Sequence, residues 1–240
     1  MRRSLLAAAA ALVLGVSLAH GPANAAEDPT LTGAPAVGDC FDITEAQTYP
    51  MTLPVEEPVD CAEDHTALVV GVGRLPRHLT WASPMAEVRH AMSLGCAAGY
   101  RRLIGTDDRL YYRSQYYLLQ FIPTAAQRDA GARWFDCMMA IGNDTGLVDL
   151  PRTLPRLGQR IPDLVARCVT ASLDYTTCAD THAWRSSFTF FARGKPTGKN
   201  IDAAADRVCP HHVTSRTWVR DAWDVSGPRF IVGCYSKDRH

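Results

Sequence analysis

Eight cysteines, at Cys40, Cys61, Cys96, Cys137, Cys168, Cys178, Cys209 and Cys234, limit what this 240-residue chain can fold into more than any other feature. They fall into two sets of four related by an internal repeat. Asp60-Cys61-Ala62-Glu63-Asp64-His65 returns as Thr177-Cys178-Ala179-Asp180-Thr181-His182, and each copy leads into a strand-like run, 67–75 and 183–192. In each set the third cysteine sits on a helical pattern, and the fourth on an apolar run opened by an Arg-aromatic pair, Arg133-Trp134 or Arg229-Phe230. Eight cysteines allow on the order of a hundred pairings. Two halves with one fold must share one pairing, and the consistent choice is first with second and third with fourth. That predicts Cys40 with Cys61, Cys96 with Cys137, Cys168 with Cys178, and Cys209 with Cys234.

Bridges require an oxidising compartment, and the N-terminus supplies the route. Met1-Arg2-Arg3 precedes 16 mostly apolar residues, Ser4 to Ala19, and then Ala23-Asn24-Ala25. That is the layout of a secretory signal, with cleavage expected after Ala25. The apolar stretch falls short of the roughly 20 residues a spanning helix needs, so no stable membrane span is expected after cleavage. Lys+Arg and Asp+Glu both total 25. This balance lacks the basic field that draws in nucleic acid, so no nucleic-acid partner is expected.

The fold class is α+β, stapled by disulfides, in two degenerate halves that each carry short strands and one helix. The organisation is a signal peptide (1–25), a first four-cysteine half (26–142), a connector (143–163) and a second four-cysteine half (164–240). Ser83-Pro84 opens a helix whose apolar stripe is Met85, Val88, Met92, Cys96, Tyr100 and Leu103, closed by Gly105. Strands are expected at 116–121 and 132–141, with a short helix or turn at 123–131. In the second half a hairpin closed by Cys168 and Cys178 precedes a strand to Ala192, a helix from about Asn200 to Cys209, and a strand at 229–235. Residues 143–162 are punctuated by Gly146, Pro151, Pro155, Gly158 and Pro162 and read as the connector.

Several runs resemble the septum formation-related domain of actinobacterial secreted and membrane-anchored proteins. They are Val37-Gly38-Asp39-Cys40-Phe41-Asp42, the Cys61-to-His65 turn, Val69-Val70-Gly71-Val72, Pro123-Thr124-Ala125-Ala126-Gln127 and Gly131-Ala132-Arg133-Trp134. The resemblance covers 37–142 well and the second half only through its cysteines and His182. Asp60 and Asp64 stand where that family usually has proline, and Arg128 where it commonly has an aromatic residue. It implies a link to cell division and the envelope, and brings no catalytic residue with it.

His65 and His182 each follow a cysteine by four positions, and Cys-x3-His can be a zinc half-site. The competing reading makes each a structural histidine bonded to backbone in the turn after its bridge. Cys209-Pro210-His211-His212 has the first three residues of a Cys-Pro-His-Cys redox motif without the resolving thiol. His211 and His212 are expected to face the last carbonyls of a helix, or to join His240 at a metal. Asp107-Asp108 and Glu56-Glu57 are neighbouring acids on turn-like segments. Tyr111, Tyr112, Tyr116, Tyr117 and Phe121 could form a carbohydrate- or peptide-binding face, although Tyr116 and Tyr117 must point to opposite sides of a strand. Trp134 is expected in the core beside Cys137, and Asn143-Asp144-Thr145 matches a glycosylation sequon. No serine-hydrolase elbow, zinc-protease motif or phosphate loop is present.

The resulting expectation is a noncatalytic secreted envelope protein that binds or scaffolds and needs no cofactor. Its partner would be an envelope or division-site protein or a cell-wall polymer. The alternative is a secreted metal-dependent hydrolase using His65 and His182 with nearby acids.

Overall fold

The computed structural model describes residues 28–53, 57–225 and 227–238. The leader with its expected cleavage site, Glu56 and His240 lie outside the described residues. The fold is α+β, with two five-stranded sheets that are antiparallel throughout.

In the first sheet β1 (Cys40–Phe41), β2 (Ala67–Arg74), β4 (Trp134–Asn143) and β3 (Tyr116–Leu119) lie side by side, and β5 (Gly146–Val148) pairs with the end of β4. In the second the order is β7 (Tyr175–Thr177), β6 (Arg167–Val169), β8 (Trp184–Arg193), β10 (Arg229–Lys237) and β9 (Trp218–Asp224). Dropping β5 and β7 leaves one plan in both sheets, in which the fourth strand of the half lies between its second and third. Both halves place a helix between their second and third strands. These are α2 (Met85–Ile104) and α5 (Gly198–Val208).

The repeat holds at the level of register. Cys40 faces Leu68 and Cys168 faces Arg185, each three residues past the half's turn histidine. Cys137 faces Gly71 and Cys234 faces Phe188, each six residues past it. The first cysteine of each half also pairs with the residue two before the second cysteine, Val59 in one half and Thr176 in the other. The bridges are Cys40–Cys61, Cys96–Cys137, Cys168–Cys178 and Cys209–Cys234, the four pairs the repeat selects, and no cysteine is free. In each half the third-to-fourth bridge ties the helical segment to the strand beneath it.

Helix α2 starts one residue later than expected, with Pro84 as its N-cap, and stops at Gly105, whose φ of 75° only glycine adopts readily. Val88, Met92, Cys96 and Tyr100 are buried, whereas Met85, at the helix start, is 43% exposed. The first half holds three further one-turn helices: α1 (Glu45–Thr48) and α3 (Asp108–Tyr111), beyond the one helix expected per half, and α4 (Ala125–Asp129), which lies in the short helix or turn expected at 123–131. In α4, Thr124 and Gln127 form a capping box, with the Gln127 side chain accepting from the Thr124 N–H at 2.8 Å. Strand β9 was not expected at all.

Segment 149–166 is irregular yet not a loose tether, because Leu150, Leu154, Leu157, Ile161 and Val165 are buried. They join one hydrophobic cluster with Cys96, Tyr116, Cys137 and Met139 of the first half and Cys168 and Cys178 of the second. The halves also share backbone bonds, with Gln115 donating to the Val165 carbonyl and Arg167 to the Arg113 carbonyl, both at 2.9 Å.

Candidate functional site

The two turn histidines occupy equivalent places and make the same bond. His65 Nδ1 lies 2.8 Å from the Glu63 carbonyl, and His182 Nδ1 lies 2.7 Å from the Asp180 carbonyl. A carbonyl only accepts, so Nδ1 carries the proton in both rings. The other nitrogen of His182 faces Asp238 Oδ2 at 3.1 Å and pairs with it when the ring holds its second proton. Cys168, Cys178 and His182 bring one ligand atom each within 4.8 Å of one another. Both sulfurs are in the Cys168–Cys178 bridge, so neither is a thiolate ligand. His65 is not part of that group, and the structure brings no shared donor set of His65 and His182 together among the described residues.

The other candidates resolve individually. Cys209–His211 forms a short 3-10 turn after α5. His212, expected to face carbonyls, stacks on Phe188 with ring centroids 3.7 Å apart. Asp107 caps α3, accepting from Arg109 N at 3.1 Å and pairing with Arg109 Nε at 2.8 Å, while Asp108 is the first residue of that helix. Asn143 Oδ1 accepts from Thr145 N and Oγ1, fixing the β4–β5 turn. Trp134 is fully buried, with its indole N–H donating to the Thr32 carbonyl. Phe121 is core.

The remaining tyrosines belong to a pocket of about 200 Å³ at the junction of the halves, lined by Tyr111, Tyr112, Gln115, Tyr116, Tyr117, Arg167, Tyr175 and Trp223. Strand alternation on β3 buries Tyr116 and leaves Tyr117 37% exposed. At the centre is Arg167 of β6, only 8% exposed. Its guanidinium carbon lies 5.1 Å from the Tyr175 ring centre and 4.9 Å from that of Trp223, and its Nε donates to the Ser114 carbonyl at 2.9 Å. Tyr175 is held by Asp144, which accepts from its N–H at 2.7 Å. Burial raises the hydroxyl pKa of Tyr111, Tyr112 and Tyr117, and in all three the Arg167 charge pulls it back down. Gln115 is 1% exposed and its Nε2 has no hydrogen-bond partner. Arg167, Gln115, Tyr175 and Trp223 were missed from the sequence. The available signal was an arginine and a glutamine each placed directly beside a buried strand residue, Cys168 and Tyr116.

Residues 20–124 match the family model described as Septum formation. This segment is similar to the septum formation family. No curated protein and no solved structure matches the chain. The matched segment supplies Tyr111, Tyr112, Tyr116, Tyr117 and Gln115 of the junction pocket, whereas Arg167, Tyr175 and Trp223 lie beyond it. It also ends before β4, so the central strand of its own sheet and Cys137, the partner of Cys96, come from chain that follows it. The resemblance seen in Gly131-Ala132-Arg133-Trp134 falls outside the matched residues.

A larger apolar groove of about 780 Å³ lies between α2 and residues 73–79, floored by Leu79, Ala91, Gly95 and Phe135 and rimmed by His78, Glu87 and His90.

Proposed function

We propose that the protein is a noncatalytic, secreted envelope protein that takes part in septum formation by binding or scaffolding. The observation that carries this reading is the junction pocket, in which the septum formation segment and the second half together enclose a buried arginine, an unpartnered amide and a ring of tyrosines. Such a site has the composition of a recognition surface, rich in aromatic rings and arginine. The fate of the reactive groups supports the noncatalytic part. All eight cysteines are bridged, both turn histidines are engaged by their own turns, and Asp136, the carboxyl most displaced in pKa, is sealed in the core. The four bridges fit an oxidising compartment, and among the described residues no helix is long and apolar enough to cross a membrane.

The test is a fluorescent fusion exported by the protein's own leader and imaged in dividing cells. Enrichment at division sites is the expected result. An even distribution around the envelope, with the fusion intact, overturns the septal assignment.

A further inference from the structure

The junction pocket holds a cation with no contact ion pair. None of the ion pairs among the described residues involves Arg167, although only 8% of that residue is exposed. Taking a charge out of water without an opposite charge in contact is costly, and two aromatic faces offset only part of that cost. Asp221, on β9, is the nearby acid. Burial raises its pKa, the adjacent Ala222 N–H and the Arg167 charge lower it, and its Oδ1 accepts that N–H at 2.7 Å. It does not close an ion pair with the guanidinium.

Gln115 supplies a second, independent observation. Its Nε2 is buried, unpartnered and part of the same pocket wall. An amide NH₂ and a guanidinium are both donors only, so what completes them is an acceptor, and the positive charge selects an anionic one. A planar carboxylate matches the fork of donors that an arginine presents.

Pocket size and ring orientation narrow the class further. About 200 Å³ accommodates a carboxylate and the small residue that bears it. Arg167 already lies over the rings of both Tyr175 and Trp223, and its charge favours an anion over a neutral sugar. We propose that the junction pocket binds the free C-terminal carboxylate of a peptide, with Arg167 and Gln115 as the donors and the tyrosines enclosing the last side chain. This rests on the reading of the protein as a binding module and names what it binds.

The experiment is calorimetric titration of the full, oxidised protein with N-acetyl-alanyl-alanine, in all-L and all-D forms, and with the C-terminal amide of each. Binding of an acid form, weakened more than about tenfold in the matching amide, is expected. Preference for the L form points to a protein C-terminus and preference for the D form to a peptide of non-ribosomal origin, and both support the proposal. Glucuronate serves as the sugar-acid control.

Arg167→Met removes the charge but also the bond to Ser114, and it can fail through misfolding. Gln115→Glu is the decisive variant, because its carboxylate would occupy the ligand's place beside Arg167. It is expected to lose binding by more than about tenfold with a melting temperature equal to or above wild type. Absence of binding, equal binding of acid and amide, glucuronate alone binding, or undiminished binding by Gln115→Glu overturns the proposal. Septal enrichment of the fusion separates the two claims: a fusion that still concentrates at division sites while the peptides fail leaves the functional reading standing and removes only the ligand.

Discussion

Asp136 shows how strongly one side chain can feel the fold. It lies in β4, fully buried, with one carboxyl oxygen accepting the Phe121 N–H at 3.1 Å and the other unpartnered. Burial pushes its pKa up to about 8, against the smaller opposing pull of the Phe121 bond. The folded chain therefore keeps a proton that the unfolded chain releases near pH 4. Stability from this group is complete below that point, falls by about 1.4 kcal/mol per pH unit as pH rises toward the folded value, and levels off above it. Asp136→Asn retains the acceptor for Phe121 and has no proton to lose. Urea denaturation at pH 5 and pH 8 should show a smaller loss of stability in the variant than in wild type. An identical pH dependence in both would place the titration elsewhere. The turn histidines were legible in sequence because their bonds are local, reaching a carbonyl two residues back. Arg167 and Gln115 were not, because the pocket that gives them meaning is assembled from residues more than fifty positions apart.

Elements were legible where their signal was covalent or periodic. The repeat identified both helix-to-strand bridges, and the stripe from Val88 to Tyr100 placed α2. Strand β9 has no residue buried and lies at the edge of its sheet, so its residues carry no alternation to read. The one-turn helices α1 and α3 are too short for a 3.6-residue period to register. The depth at which α2 packs was also invisible from periodicity, since it depends on glycines. A Cβ on Gly99 would lie 2.6 Å from the Val70 carbonyl oxygen, and one on Gly95 or Gly73 would strike the Phe135 ring. Gly99→Ala should therefore destabilise the protein even though alanine favours a helix by about 1 kcal/mol. The backbone of β2 cannot yield as a flexible side chain would, and overpacking of this kind costs about 1–3 kcal/mol. Chemical denaturation measures the sign, and a variant more stable than wild type would contradict the close approach of α2 to β2.

At the scale of the whole molecule, two halves of one plan are stapled separately, with no disulfide running between them. Two four-cysteine halves joined by a connector can form one body or two. The structure answers through residues 149–166, which look like a punctuated linker because three prolines and Gly158 interrupt them. Their leucines and isoleucine nevertheless return every few positions to the shared core. This arrangement places the junction pocket at the seam, where the matched segment meets Arg167. Each of the four bridges lies within a half. The most direct test of this account is peptide mapping of the oxidised protein, digested without reduction after free thiols are blocked. It should yield four linkages, Cys40–Cys61, Cys96–Cys137, Cys168–Cys178 and Cys209–Cys234, and no blocked cysteine. A linkage joining any cysteine up to Cys137 to one from Cys168 onward, or a cysteine recovered as a free thiol, would contradict it.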